Sequence, residues 1–492
     1  MKNAVQLVTY ADRLGGGTLA DLRALLNGPL AGLFGGVHLL PFFHTIDGAD
    51  AGFDPIDHTR VDARLGDWGD IKALAQDVEV MADVIVNHMS ADSPQFKDFS
   101  EKGAASAFNG LFLTLDAVFP NGATERDLLA VYRPRPGLPL TFATLANGEK
   151  RILWTTFTPQ QLDIDVRHPQ GRAYLDTILR TLAASGVKMI RLDAIGYAIK
   201  QAGTSCFMMP QTFDFIADLA AAARGLGLEV LVEVHSHYRE QIEIARHVDW
   251  VYDFALPPLL LHAVFFQTAR DLKQWIAQRP TNAITVLDTH DGIGIIDIGA
   301  DPNDRAGRPG LVPAAELDRL VEMIHERSGG QSFEATGSAA SNLDLYQVNC
   351  TFFDALGRDE QAYLLTRAVQ FFLPGIAQVY YVGLLAGTND MALLQRTGAG
   401  RDINRHHYMR AEVELALQQP VVQALLGLIR LRNTHPAFGG SFHVEPGSDD
   451  AQLAMRWELG DRFVALAVDF KALTHALSVD DATDRSGFGL AA

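Results

Sequence analysis

Eight short apolar runs punctuate the chain, and stretches with helical spacing separate most of them. The runs are VQLVTY (5–10), GVHLLPFF (36–43), MADVIVNH (81–88), VKMIRLDAIG (187–196), LEVLVEVHS (228–236), WVYDFALP (250–257), AITVLDTHD (283–291) and IAQVYYVG (376–383). Between them lie patterns such as TLADLRALLNG, LDTILRTLAASG and TFDFIADLAAAARGLG. A strand that is apolar along its whole length is buried on both faces, which is the habit of a parallel sheet covered by helices. Eight such strands alternating with helices predict an α/β fold, a closed (β/α)8 TIM barrel.

Two stretches break the alternation. Residues 89–166 carry Asn-Gly pairs at 109–110, 121–122 and 147–148, each a turn or hairpin signal, and the proline-rich VYRPRPGLPLTF. Residues 292–356 contain the loop-like DPNDRAGRPGLVP and one helical segment, LDRLVEMIHERSG. Both follow a strand, so both belong on the face where a barrel of this kind builds its site. After residue 437 the pattern becomes alternating, QLAMRWEL and RFVALAVDF, and reads as a small β domain. The expected division is a barrel (domain A) over 1–88, 167–291 and 357–436, inserted domain B over 89–166, an inserted loop domain B′ over 292–356, and a C-terminal β domain C over 437–492. The triple glycine at 15–17 lacks the Lys-Ser/Thr of a phosphate-binding loop and reads as a turn.

Three of the runs end in acids: Asp193, Glu233 and Asp291. Two carboxyl groups flanking a glycosidic bond are what a retaining glycosidase needs, one as nucleophile and one as acid/base. A third carboxylate stabilises the positive charge of an oxocarbenium-like transition state. Arg191 lies two residues before Asp193, and the period of a strand puts both side chains on one face. A guanidinium there keeps the Asp193 carboxylate ionised. Glu233 ends a very apolar strand, where burial is expected to raise its pKa toward that of a working acid. His290 precedes Asp291 at another tip. Near the third run, His88 is placed to meet a sugar hydroxyl, whereas Asp83 is expected to hold neighbouring loops. Asn87 has no acidic cluster around it for Ca2+, so a structural role is expected. His235 and His237 share one face of the strand end, without a third ligand for a metal.

The bulk numbers exclude other classes. A formal charge of −18, from 41 basic and 59 acidic residues, repels nucleic acid and anionic membranes. The N-terminal stretch has no long apolar core of a leader, and no run is long and apolar enough for a membrane span. The two cysteines, Cys206 and Cys350, form no metal or disulfide pattern. A cytoplasmic chain is expected.

DVIVNH, GVKMIRLDAIGY, LEVLVEVHS and VLDTHDG resemble the four signature regions of the α-amylase superfamily, glycoside hydrolase family 13. QLDIDV (161–166) is similar to an additional motif of that superfamily. A narrower resemblance, to the sucrose phosphorylase group, rests on TYADRLGGGTLADL, LLPFFHTIDGADAGFDPIDHTRVDARLGDW, RPRPGLPLTF, SNLDLYQVN, RAVQFFLPGIAQVYYVG and GRDINRHHY. The resemblance implies Asp193 as nucleophile, Glu233 as acid/base and Asp291 as transition-state stabiliser. It implies His88, Arg191 and His290 around the glucosyl unit, Asp50 paired with Arg401 at its non-reducing end, Phe53 and Phe157 along its face, and Gln161 nearby. Asp344 and Gln347 would meet the fructosyl part. Arg135, with Tyr346, His235 and Arg133, would receive phosphate. His237 stands where the group carries an aromatic residue. The implied substrates are small molecules, sucrose and inorganic phosphate, with no cofactor, no metal, no nucleic acid, no membrane, and a homodimer as the assembly. Phosphorolysis of sucrose 6-phosphate, glucosylglycerol or glucosylglycerate, plain sucrose hydrolysis or transglucosylation, and a catalytically dead binding subunit are the competing readings; the last is disfavoured because all three acids are present.

Overall fold

A computed structural model of the chain describes residues 1–45, 51–134, 137–301, 307–336, 347–445 and 449–480. Each of the eight apolar runs contributes one strand: β1 (Gln6–Thr9), β2 (Gly36–Leu39), β3 (Glu79–Ile85), β4 (Met189–Asp193), β5 (Glu229–Val232), β6 (Trp250–Asp253), β7 (Ala283–Thr285) and β8 (Ile376–Tyr380). They form a closed barrel in the order β1-β8-β7-β6-β5-β4-β3-β2. Nearly every strand residue is buried, as the unbroken apolar runs require.

By their contacts the residues fall into two compact units. One comprises Met1–His38, His235–Ala245 and Val251–Ala492. Here β1 pairs with β8, and β7 with β6 and β8, all parallel. Gly15, Gly16 and Gly17 all have positive φ, the conformation glycine adopts without a Cβ penalty. They turn the chain from β1 into the helix Leu19–Leu26, which Thr18 caps by accepting from the N–H of Asp21. The helix expected within 292–356 spans Ala314–Arg327. The C-terminal sheet is antiparallel, β9 (Ser441–Glu445), β10 (Gln452–Leu459), β11 (Arg462–Asp469) and β12 (Thr474–Val479). Leu453, Met455 and Trp457 alternate inward along β10, and Trp457 Nε1 donates to the carbonyl of Phe372 at 2.6 Å. That bond ties the sheet to the helix Glu360–Phe372.

The other unit comprises Leu39–Val234 and Arg246–Trp250. In it β4 pairs with β3 and β5, again parallel. The stretch after β3 holds a hairpin, Leu140–Thr144 with Lys150–Trp154. Of the three Asn-Gly pairs, Asn147-Gly148 sits in this hairpin; the other two are loop turns, with Gly110 and Gly122 at the same positive φ of 85°. A small apolar cluster of Leu113, Val118, Phe119, Val131, Trp154 and Cys206 supports this region. Both cysteines are buried and unbridged. Burial pushes the thiol of Cys350 far above its ordinary range.

The run MADVIVNH is not one strand. β3 ends at Ile85, and His88–Ser90 forms a separate antiparallel pair with Gln161–Asp163. No helix among the described residues is long and apolar enough to cross a membrane.

Candidate active site

Asp193 is the last residue of β4, Glu233 follows β5 by one residue, and Asp291 follows β7 by six. All three therefore stand at or beyond C-terminal strand ends, the side on which such barrels build their sites.

Around the first two acids the geometry is compact. Arg191 Nη1 lies 2.7 Å from Asp193 Oδ1 and 2.6 Å from Asp83 Oδ1. Arg191 Nη2 is 3.9 Å from Glu233 Oε1. The N–H of Ala194 donates to Glu233 Oε2 at 3.4 Å. The carbonyl of Asp83 lies 3.3 Å from Nε2 of His58, in the segment between β2 and β3, while its side chain meets the barrel strand β4. The parallel register sets Asp83 opposite Arg191, and a fully buried carboxylate requires a charge partner.

Phe53, His88 and Gln161 converge on one atom. The carbonyl oxygen of Phe53 contacts His88 Nε2 at 2.8 Å and accepts from Gln161 Nε2 at 2.9 Å. The Phe53 ring lies 5.6 Å from the Arg191 guanidinium carbon. Phe157 meets His88 edge-on at 5.4 Å and Tyr197 at 5.2 Å. Tyr197 continues into a stack of Phe207 and Tyr132; Tyr197 and Tyr132 lie in GVKMIRLDAIGY and VYRPRPGLPLTF but were not named as candidates there. Asn87 Oδ1 takes the Lys200 ammonium at 3.1 Å, and Lys200 also pairs with Asp163 at 2.7 Å. Arg133 is exposed, its guanidinium directed to the carbonyl of Gly137.

A second group surrounds Asp291. Arg401 Nη1 lies 2.7 Å from Asp291 Oδ1, and Arg401 Nη2 donates to Gln347 Oε1 at 3.4 Å. His290 Nε2 is 3.6 Å from Asp291 Oδ2, and the His290 ring packs edge-on against Tyr10. Two residues of GRDINRHHY hold the tip from behind. Asn404 Nδ2 donates to the carbonyl of Thr289 at 2.8 Å, and the fully buried Arg405 donates through Nε to that of His290 at 2.9 Å. Sequence reasoning passed over Arg405, although it sits in a stretch already singled out. His235 and Asp291 line one cavity, with Phe254, Gly294 and Cys350.

His235 and His237 are not a pair. β5 ends at Val232, so the two-residue period no longer applies beyond it. His235 Nδ1 meets Asp297 Oδ2 at 2.8 Å, whereas His237 Nε2 reaches the carbonyl of Pro309 at 3.1 Å. Burial lowers the pKa of His237, against the raising effect of that carbonyl. Asp50, Arg135, Asp344 and Tyr346 lie outside the described residues.

An eight-stranded parallel barrel with three acids at or beyond its C-terminal strand ends, one of them 2.7 Å from a buried arginine, is the arrangement of the glycoside-processing enzymes of the α-amylase type. The family of the α-amylase catalytic domain matches residues 33–246. The sucrose phosphorylase of Agrobacterium vitis is 61% identical, with 96% of each chain covered. That of Bifidobacterium adolescentis is 55% identical, over 93% of this chain and 90% of its own. The crystal structure of sucrose 6F-phosphate phosphorylase from Thermoanaerobacter thermosaccharolyticum superposes with a TM-score of 0.89 at 36% identity, covering 98% of this chain and 96% of that one. The chain belongs to the sucrose phosphorylase family within the α-amylase superfamily.

Proposed function

We propose that this enzyme transfers the glucosyl unit of sucrose to inorganic phosphate, giving α-glucose 1-phosphate and fructose. The observation that carries the reading is the 61% and 55% identity to two sucrose phosphorylases over nearly the whole chain, against 36% to a phosphorylase of sucrose 6F-phosphate.

Asp193 attacks the anomeric carbon while Glu233 protonates the departing fructosyl oxygen. Phosphate then attacks the glucosyl-enzyme, Glu233 takes the proton from the attacking oxygen, and the bond to Asp193 breaks. Two inversions return the α configuration. The positive charge of Arg191 at 2.7 Å supports Asp193 in the nucleophilic role. Asp291 balances the positive charge that develops on the sugar. His88, Phe53, Phe157, Gln161, His290, Arg401 and Asp50 bind glucose in this scheme, Gln347 and Asp344 the fructosyl unit, and Arg135, Tyr346 and His235 the phosphate. Phosphate carries most of its charge on oxygens that need donors in a site already rich in carboxylates, which supports a role for Arg135.

A cytoplasmic setting belongs to the same proposal, supported by two buried, unbridged cysteines. So does a homodimer, which sedimentation measures.

The test is incubation of the purified protein with sucrose, with and without phosphate, following glucose 1-phosphate and free glucose. Phosphate-dependent glucose 1-phosphate is the expected result. Free glucose alone makes the enzyme a hydrolase. No turnover moves the search to phosphorylated sucrose and glucosylglycerol-type donors.

A further inference from the structure

One fully buried carboxylate has no part in the scheme so far. Asp297 lies in a short turn of helix, Ile296–Ile298, beyond β7. Its Oδ2 faces His235 Nδ1 at 2.8 Å. Its Oδ1 accepts from the N–H of Ser236 at 3.2 Å and from Gln241 Nε2 at 2.9 Å. The His235 ring stacks on Phe254, with centroids 3.8 Å apart and 15° between planes. Phe254 thus fixes the plane of the ring, and Asp297 fixes its rotation within that plane.

A carboxylate with these contacts accepts from Nδ1, so the ring proton resides there. Nε2 is then the nitrogen with a choice. It accepts from a phosphate hydroxyl when the ring is neutral and donates to a phosphate oxygen when the ring is charged. Because His235 lines the cavity that Asp291 lines, the ring is set beside an acid of the proposed reaction rather than in inert core.

The backbone packs tightly against the dyad. A Cβ added to Gly294 would lie 2.2 Å from Asp297 Oδ2 and 2.8 Å from His235 Nδ1, closer than such atoms approach. Glycine at 294 lets the backbone pass where any side chain would push the two apart.

We infer that Asp297 is a positioning residue for the phosphate half of the reaction, holding the proton on His235 Nδ1 so that Nε2 meets the incoming phosphate. This rests on the phosphorylase reading above. The chemistry is unchanged: the phosphate oxygen bonds to the anomeric carbon, the electron pair of the broken bond returns to Asp193, and the proton goes to Glu233.

The test substitutes Asp297→Asn, which keeps the size but offers an amide N–H where a carboxylate oxygen stood, inverting the preferred tautomer. The expected result is a rise of about tenfold or more in the KM for phosphate and an equal fall in the ratio of phosphorolysis to hydrolysis. Nitrogen NMR of the histidines should show the Nδ1–H tautomer of His235 in the wild type and its loss in the variant. A milder variant, Gln241→Leu, removes one donor to Asp297 and should move the phosphate KM in the same direction by a smaller factor, which covers a failure of the first to fold. An unchanged phosphate KM in both variants, or an equal loss of hydrolysis and phosphorolysis, overturns the assignment of Asp297 alone, provided that phosphate accelerates sucrose consumption by the wild type. A wild type indifferent to phosphate overturns the phosphorylase reading and this assignment together.

Discussion

Asp83 and Asp193 share one guanidinium nitrogen: Nη1 of Arg191 lies 2.6 Å from the first and 2.7 Å from the second. Asp83 is fully buried, and Arg191 almost so. Truncating Asp83 leaves a buried cation with one partner fewer. Asp83→Ala should lower the unfolding free energy by ~3–5 kcal/mol and reduce turnover with it. Chemical denaturation measures the first; a loss well under ~1 kcal/mol would mean that the pair is not sequestered from water.

Asp193→Ala and Glu233→Gln should each lower kcat for sucrose by roughly a thousandfold or more, with circular dichroism unchanged. A glucosylated Asp193 peptide, trapped by acid quench and read by mass spectrometry, should appear in the wild type. Near-normal phosphorolysis by folded Asp193→Ala would sink the nucleophile assignment.

His58 gives the acid limb of stability a source. Its ring lies 4.1 Å from that of Phe43, with Nε2 at 3.3 Å from the carbonyl of Asp83. Burial pushes its pKa down to about 4, the hydrogen bond to Asp83 opposing this. Between the ordinary histidine value of 6.5 and about 4, the unfolded chain binds a proton that the folded chain refuses. Stability from this group is therefore complete above pH 6.5 and is lost progressively down to about pH 4. The full swing is on the order of 3 kcal/mol. His58→Phe should flatten the fall in melting temperature over that window; an unaltered acid limb would show that other groups control it.

Lys200 is buried between Asp163 and Asn87 and also donates to the carbonyl of Tyr197. Lys200→Met fills similar space but strands the Asp163 carboxylate. The expected cost is ~3–5 kcal/mol, read as a lower denaturation midpoint. The double change Lys200→Met with Asp163→Leu should recover part of it, and a double variant no more stable than the single one would argue against a charge-pair origin.

The barrel was legible because its strands are apolar on both faces, so each run announces itself without its partner. Arg191 and Asp193 were legible together because they share one strand and one period. The ion pair of Asp83 was hidden for the opposite reason. Its partner is 108 residues away, and only the parallel register brings the two together. Asp297 was invisible on the same ground: it stands in the apolar stretch GIGIIDIGA, and nothing local marks it as the partner of a histidine 62 residues earlier. His235 and His237 show where a local rule stops. The strand period is sound only while the strand lasts, and β5 ends before either of them.

The seclusion of Cys206 and Cys350 has a practical consequence. With both native thiols buried, a single cysteine introduced on the exposed strand β9, at Ser441 for example, would be the one surface thiol among the described residues. A fluorophore or a surface linker could then be attached at one defined point, on the C-terminal sheet, with the native cysteines left in place.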